Sequence, residues 1–281
     1  MSRLFVEHLT VIDCASLDTR RGLVGQSWIV DLELEGELDD QSMVLDFGLV
    51  KKQLKRAIDD GPDHSLIVPA RHPGLRLESS QSQVQVRFDC AVGPIVHHSP
   101  PAAVTLLDAA EVTPGALAME LETSLLRAVP ANVRRLRVQL REELIAGACY
   151  HYTHGLKKHD GHCQRIAHGH RSRIEIRVDG ARDPQLEQLW ASRWADVYLA
   201  TREDVVRQRD GRLCTEYQSR EGHFRLELPA TRCALLETDS TVERIAEHIA
   251  GQIAALRPGR VVEVRAYEGV HKGAVAAFPV R

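Results

Sequence analysis

Six of the fourteen histidines in this 281-residue chain fall between His151 and His170. Imidazole is the commonest side-chain ligand for metal ions, and spacing decides whether several can share one. His168-Gly-His170 sets two rings at i and i+2, so on a strand both project from one face. His154 lies near the end of the preceding strand-like segment, Tyr150-His-Tyr-Thr-His154-Gly-Leu156, and a hairpin would bring it opposite that pair. Three imidazoles on a curved sheet leave a fourth tetrahedral position open, the pattern of a catalytic rather than a structural zinc site. Gly169 leaves room for close backbone approach. Cys163 lies just upstream, where a cationic centre would lower a thiol's pKa and make it a usable base. His-x-His alone is common on half-exposed strands; the company of His154 and Cys163 makes it informative.

Composition sets the frame for that site. The chain is 43% hydrophobic with a formal charge of −3, which fits a globular protein and argues against bulk attraction to nucleic acid or anionic membrane. It contains no apolar run of about 18 residues, and its N-terminus lacks a basic-then-apolar signal pattern, so a cytoplasmic location is expected. The six cysteines are scattered with no Cys-x-x-Cys pair, and read as free thiols, mostly small buried hydrophobes.

The elements that must position the histidines come in two copies. Gly25-Gln-Ser-Trp-Ile-Val-Asp-Leu-Glu-Leu-Glu-Gly36 aligns with Gly169-His-Arg-Ser-Arg-Ile-Glu-Ile-Arg-Val-Asp-Gly180. Both alternate with period two, as half-buried antiparallel strands do. In the first half, Met43–Asp60 has helical periodicity with Asp46 as a candidate N-cap, and a second helix follows Thr113-Pro114. Leu136–Leu140 alternates again. In the second half, Ser240-Thr-Val-Glu243 reads as a capping box opening a helix to Leu256, and Val262–Ala266 as the closing strand. Trp190 and Trp194 share a helix face. Two units of similar design follow, 1–143 and 144–281, packed directly together because no Pro- or Gly-rich linker separates them. Residues 70–112 fit the repeat poorly and suggest an inserted hairpin.

Tyr150–Leu156 and Cys163–His170 resemble the signature of the 6-pyruvoyl-tetrahydropterin synthase and 6-carboxytetrahydropterin synthase family. Thr241-x-Glu243 at a helix start and Tyr267-Glu268 at a strand end extend the resemblance over most of residues 149–268. It implies an α+β fold of two tandem T-fold units, each an antiparallel four-stranded sheet with two helices, associating into a barrel as a homo-oligomer. It further implies Zn2+ on His154, His168 and His170, Cys163 as general base, and Glu268 and Thr241 as substrate contacts. In the first half, Met43-Val-Leu-Asp-Phe47 and Asp63-His64 are similar to the family's Asp-Phe junction and catalytic Asp-His pair. Gly61-Pro-Asp-His-Ser also reads simply as a turn.

Neither half is complete. A constant offset of 144 carries the three histidines onto Thr10, Val24 and Gln26, which make no zinc site. The second half has no Asp-His; its nearest candidate is Gly222-His223. A composite site follows, with Cys163, Glu268 and the metal ligands from the second half and Asp63-His64 from the first half of the same or a neighbouring chain. The resemblance implies a zinc-dependent lyase acting on the pterin 7,8-dihydroneopterin triphosphate. The 6-carboxy product of the queuosine and deazapurine pathway is preferred over the 6-pyruvoyl one. In that chemistry Asp63 orients His64, which carries protons. Lys157-Lys-His-Asp160 reads as a solvated loop that lies close enough to meet substrate phosphates, an end that Arg165 and Lys272 could also serve. Two other classes compete: a non-catalytic pterin- or metal-binding protein, and a structural protein whose histidines only pair with carboxylates.

Overall fold

The computed structural model describes residues 1–279. A long hairpin, β1 (Ser2–Asp18) and β2 (Gly22–Gly36), leads into α1 (Phe47–Asp59) and the short strand β3 (Leu66–Pro69). Three strands then form a separate layer: β4 (Leu75–Ser79), β5 (Val84–Phe88) and β6 (Ile95–Ser99). The first sheet is completed by β7 (Val104–Leu107), α2 (Pro114–Leu126) and β8 (Val133–Arg141). The order then repeats, with β9 (Cys149–His154), β10 (His168–Val178), the two-residue β11 (Ala181–Arg182), α3 (Pro184–Arg193) and β12 (Val197–Thr201). A second trio, β13 (Val205–Arg209), β14 (Arg212–Gln218) and β15 (His223–Pro229), leaves the plane. The chain finishes with β16 (Cys233–Leu236), α4 (Val242–Ala255), β17 (Val262–Tyr267) and β18 (Gly273–Phe278).

The first sheet runs β7-β3-β1-β2-β8 and the second β16-β12-β9-β10-β17-β18, with β11 beside β10. This corrects the expected four-stranded antiparallel units. Strands β9, β10, β17 and β18 do form an antiparallel set, but β12 and β16 extend it in parallel. The first sheet has only β1, β2 and β8 antiparallel, with β3 and β7 parallel. A strand re-entering a sheet after a crossover travels in the original sense, so parallel pairing follows from the connections through α1 and the inserted strands. Strand β18 has no first-half counterpart, because the chain passes from β8 into β9.

The insertion is larger than a hairpin and occurs in both halves. The two trios join as one sheet, β13-β14-β15-β6-β5-β4, where Arg225 pairs with His98. Among the described residues this is the ladder that crosses between halves; the first two sheets pack together without a continuous barrel.

Local chemistry explains the helix starts. Asp46 accepts from Gly48 N–H at 2.6 Å, so α1 begins at Phe47 rather than Met43. Thr113 and Asp183 cap α2 and α3, each with proline in the first turn. Helix α4 is capped by Thr241, whose hydroxyl accepts from Arg244 N–H; Ser240, the expected cap, is turned elsewhere. Ile245, Ile249 and Ile253 of α4 are buried on the second sheet, each contributing about 1.5–3 kcal/mol. Exposed pairs such as Lys55–Asp59 add only a few tenths. Trp190 and Trp194 both lie in the second core. A third core faces the inserted sheet, where Phe88, Phe224 and Leu226 cover Leu66 and Val68 of one half and Ile166 and Tyr198 of the other.

The halves meet where β2 packs against β9 and β10. A Cβ on Gly25 would lie 2.6 Å from His170 N and closer still to the Tyr152 carbonyl. One on Gly169 would lie 2.7 Å from Gly25 Cα. Real Cβ atoms do not approach backbone so closely, so both positions need hydrogen alone. The seam is stitched by His151 Nδ1–H to the Gly25 carbonyl at 2.6 Å, and by Arg171 N–H to Ser27 Oγ at 3.1 Å. Gly25→Ala is therefore expected to cost about 1–3 kcal/mol through overpacking against main chain, read as a lowered denaturant midpoint. An unchanged midpoint would show that the seam can open without loss.

Candidate active site

Register places the histidines. His154 pairs with His168 across β9 and β10, and His170 pairs with Tyr152. All three rings are buried, at 0%, 0% and 1% exposure. Each presents its Nδ1 to an oxygen. His154 Nδ1–H donates to the Ser240 carbonyl at 3.0 Å, and His168 Nδ1–H to the Arg165 carbonyl at 3.0 Å. His170 Nδ1 faces Asp13 Oδ1 at 3.2 Å, a contact slightly out of line for a hydrogen bond. A carbonyl oxygen only accepts, so the proton sits on Nδ1 and the Nε2 lone pairs of His154 and His168 are free to point inward. Burial, reinforced by neighbouring imidazoles, holds both residues well below the usual histidine pKa, and so neutral.

The inward nitrogens are suited to a cation. His168 Nε2 is buried without a partner, while His154 Nε2 and His170 Nε2 lie 3.2 Å apart. Two ligand nitrogens on a tetrahedral zinc ion are roughly 3.3 Å apart, given bonds of about 2.0–2.1 Å. Nδ1 atoms turned to oxygens and Nε2 atoms turned inward match the way imidazoles are arranged around a metal ion. The donor set therefore fits zinc.

Asp63 and His64 reach this cluster from the first half of the same chain. The His64 backbone has φ +52°, and its N–H donates to the Asp13 carbonyl at 2.7 Å. Asp63 Oδ1 accepts from Asp13 N–H at 2.8 Å, and Oδ2 accepts from His64 Nδ1–H at 2.7 Å. The other edge of His64 meets Cys163, and its ring centre lies 5.2 Å from that of His168. His64, Cys163 and His168 thus form a second cluster sharing one imidazole with the first. Burial opposes a charge on His64, but hydrogen bonds to Asp63 and Cys163 outweigh it and raise the ring's pKa to about 10.

Asp13 was not legible as a site residue, yet it touches both clusters. The residue is 3% exposed; Oδ1 accepts from Ser27 Oγ at 2.5 Å, and Oδ2 lies 3.3 Å from Lys272 Nζ. Burial alone would raise its pKa, but His170, Lys272 and Ser27 together hold it well below the carboxylate range. The available signal was an acid embedded in the otherwise uncharged stretch Val11–Ser16.

Other expected residues take varied places. Glu268 borders the cluster, 3.9 Å from both His170 Nε2 and Lys272 Nζ. Thr241 commits its hydroxyl to capping α4, and its neighbour Ser240 is the residue that meets His154. Lys157 and Lys158 are paired with Asp204 and Asp239. Arg165 is buried against Glu221, which also accepts from His162 Nδ1–H. Half-exposed Lys272 is paired with Asp13 and lies near partly exposed Cys163. A cleft of about 530 Å3 between Phe5, Glu122 and Arg137 lies elsewhere on the first half and carries no such cluster.

Two alignments are corrected by register. Ala15 stands opposite Gly25 as Thr153 stands opposite Gly169, so the first-half counterpart of His154 is Ser16, not Thr10. Gln26 donates to Ser16 Oγ at 3.2 Å in place of a metal centre. Leu66 lies beside Ala15 as Tyr198 lies beside Thr153, which makes Ala195-Asp196 the counterpart of Asp63-His64. Asp196 shares the left-handed backbone, at φ +56°, and pairs with Arg21 of the other half. His223 belongs instead to the inserted sheet, bound to Glu216.

Fold and site together define a duplicated α+β protein with three clustered imidazoles, a thiol and an Asp-His pair at an internal seam. The profile described as 6-pyruvoyl tetrahydropterin synthase matches residues 12–153 and again 143–278, and the chain belongs to that family as a tandem pair. A Methanocaldococcus jannaschii protein provisionally named as a 6-carboxy-5,6,7,8-tetrahydropterin synthase is 30% identical over 131 residues, covering 45% of this chain and 77% of the relative. The 6-pyruvoyl tetrahydropterin synthase of Plasmodium vivax aligns at TM-score 0.42 and 18% identity, covering 52% of this chain and 93% of that structure. Its Plasmodium falciparum counterpart aligns at 0.40 and 17%, covering 50% and 90%. No helix among the described residues is long and apolar enough to cross a membrane.

His64 gives a pH prediction. Its pKa is raised from 6.5, so its stabilising effect is fully present below pH 6.5 and lost as pH rises through about 10. In metal-free protein the ring should remain protonated at pH 8 by NMR, and Asp63→Asn should bring its titration down. A midpoint near 6.5 in the parent protein would contradict the hydrogen-bonded arrangement.

Proposed function

We propose that this protein is a zinc-dependent lyase acting on 7,8-dihydroneopterin triphosphate. The observation that carries the reading is the convergence of three imidazole Nε2 atoms beside a thiol and an Asp-His pair. His154, His168 and His170 hold the ion, and Zn2+ bound there supplies Lewis acidity to the hydroxyls of the substrate side chain. Cys163 accepts a proton from carbon. His64, charged at neutral pH and steadied by Asp63, returns protons to the side chain. Glu268 takes the guanidine-like edge of the pterin through paired hydrogen bonds. Lys272, half exposed beside Asp13 and Glu268, would meet an anionic group of the substrate. Thr241 contributes through its helix start rather than its hydroxyl.

The 6-carboxytetrahydropterin outcome, which feeds deazapurine nucleosides such as queuosine, is favoured by the similarity to the M. jannaschii protein. Association of copies in the cytoplasm, through the unpaired edges of β8 and β18, completes the reading. The metal-free alternative has one observation in its favour: His170 lies between Asp13 and His154, within 3.2 Å of each, without an ion.

Incubating zinc-loaded protein with 7,8-dihydroneopterin triphosphate and weighing the products tests the proposal. The 6-carboxy product is expected; the 6-pyruvoyl product would shift the assignment within the family. Bound pterin without turnover would mark a non-catalytic binding protein, and lack of stoichiometric zinc would favour the metal-free arrangement in which the histidines only pair with carboxylates. His64→Ala is expected to lower kcat by about 10²–10⁴-fold with little change in KM. Wild-type turnover would remove His64 from the chemistry.

A further inference from the structure

We propose that Asp13 is a positioning residue that makes the metal affinity of the second half depend on the first half; this rests on the zinc reading above. Of the three ligand imidazoles, two are anchored within their own half, by the Ser240 and Arg165 carbonyls. The third, His170, has as its Nδ1 neighbour a carboxylate from the other half, at 3.2 Å. A carboxylate behind a ligating imidazole fixes the ring's orientation and raises its donor strength more than a neutral carbonyl does.

Asp13 is itself held with little freedom. Ser27 Oγ–H donates to Oδ1, Lys272 Nζ lies beside Oδ2, and both main-chain groups are used, N–H to Asp63 and C=O from His64. The residue therefore ties the His170 ring to the same strand that carries the Asp63-His64 pair. Ser27 also accepts from Arg171 N–H, next to His170 in β10, which fixes the carboxylate and the ligand strand against each other. The first half has no imidazole at its own three ligand positions, yet it supplies the group behind one ligand of its partner half.

The test compares wild type, Asp13→Asn and Ser27→Ala as full chains. Zinc dissociation constants come from competition with a chromophoric chelator, ligand geometry from the visible spectrum of the Co2+-substituted protein, and integrity from unfolding of the metal-free form. Asp13→Asn keeps the side chain's shape but removes its charge. It should weaken zinc about 10- to 100-fold and change the Co2+ spectrum, with a metal-free unfolding midpoint close to wild type. Ser27→Ala leaves the carboxylate in place but frees it, and should weaken zinc several-fold. Equal zinc affinity and an unchanged spectrum in folded Asp13→Asn would overturn the proposal. Should Asp13→Asn not fold, wild-type affinity in Ser27→Ala would overturn it instead. Failure of the wild type itself to bind zinc would be a failure of the metal reading, visible before either variant is compared.

Discussion

The contact between Gly25 and Gly169 governs the rest of the architecture. Without side chains at these two positions, β2 can lie main chain against main chain on β9 and β10. That proximity lets a first-half carboxylate reach a second-half imidazole, and His64 reach His168 and Cys163. Groups with hydrogen-bonding reach of about 3 Å cannot cooperate across a seam held apart by even one Cβ layer. The two glycines occupy equivalent positions in the repeat, so one duplicated residue produces both sides of the contact.

Duplication creates two equivalent seams, and the halves have diverged around them. One seam keeps the imidazoles from the second half and the Asp-His pair from the first. At the other, Ser16, Val24 and Gln26 stand where the ligands would be, and Asp196 stands where His64 would be. Arg21 closes that seam with a paired contact to Asp196, Nε to Oδ2 at 3.0 Å and Nη2 to Oδ1 at 2.5 Å. A two-pronged guanidinium–carboxylate pair joins the halves there with defined geometry.

The inserted strands bear on the same seam from another side. Their joint sheet covers both halves with a shared apolar core, so separation of the halves would expose Phe88, Phe224 and their neighbours together. The turn between β14 and β15 also grips the segment that presents Cys163. Glu221 engages His162 and Arg165, and Tyr217 O–H donates to the Gln164 carbonyl at 2.8 Å. Arg165 in turn offers its carbonyl to His168. A loop of thirteen residues between β9 and β10 would otherwise be free to move; here it is bound to a sheet that both halves build.

What the sequence determined was local or periodic. The i, i+2 spacing of His168 and His170, the caps at Asp46 and Thr113, the alternation of β2, β8 and β10, and the repeat itself all follow from short-range rules of backbone geometry. Family likeness added Asp63-His64 and Glu268. Tertiary structure decided the rest. Which first-half residue matches His154 depends on ladder register, because the β9–β10 connection is far longer than that between β1 and β2, and a constant offset cannot survive it. The parallel strands and the joint sheet depend on crossovers that periodicity does not encode. Asp13 gains its position only when two halves pack, since a lone acid on a strand has no assigned partner until the opposing ring is brought within 3.2 Å.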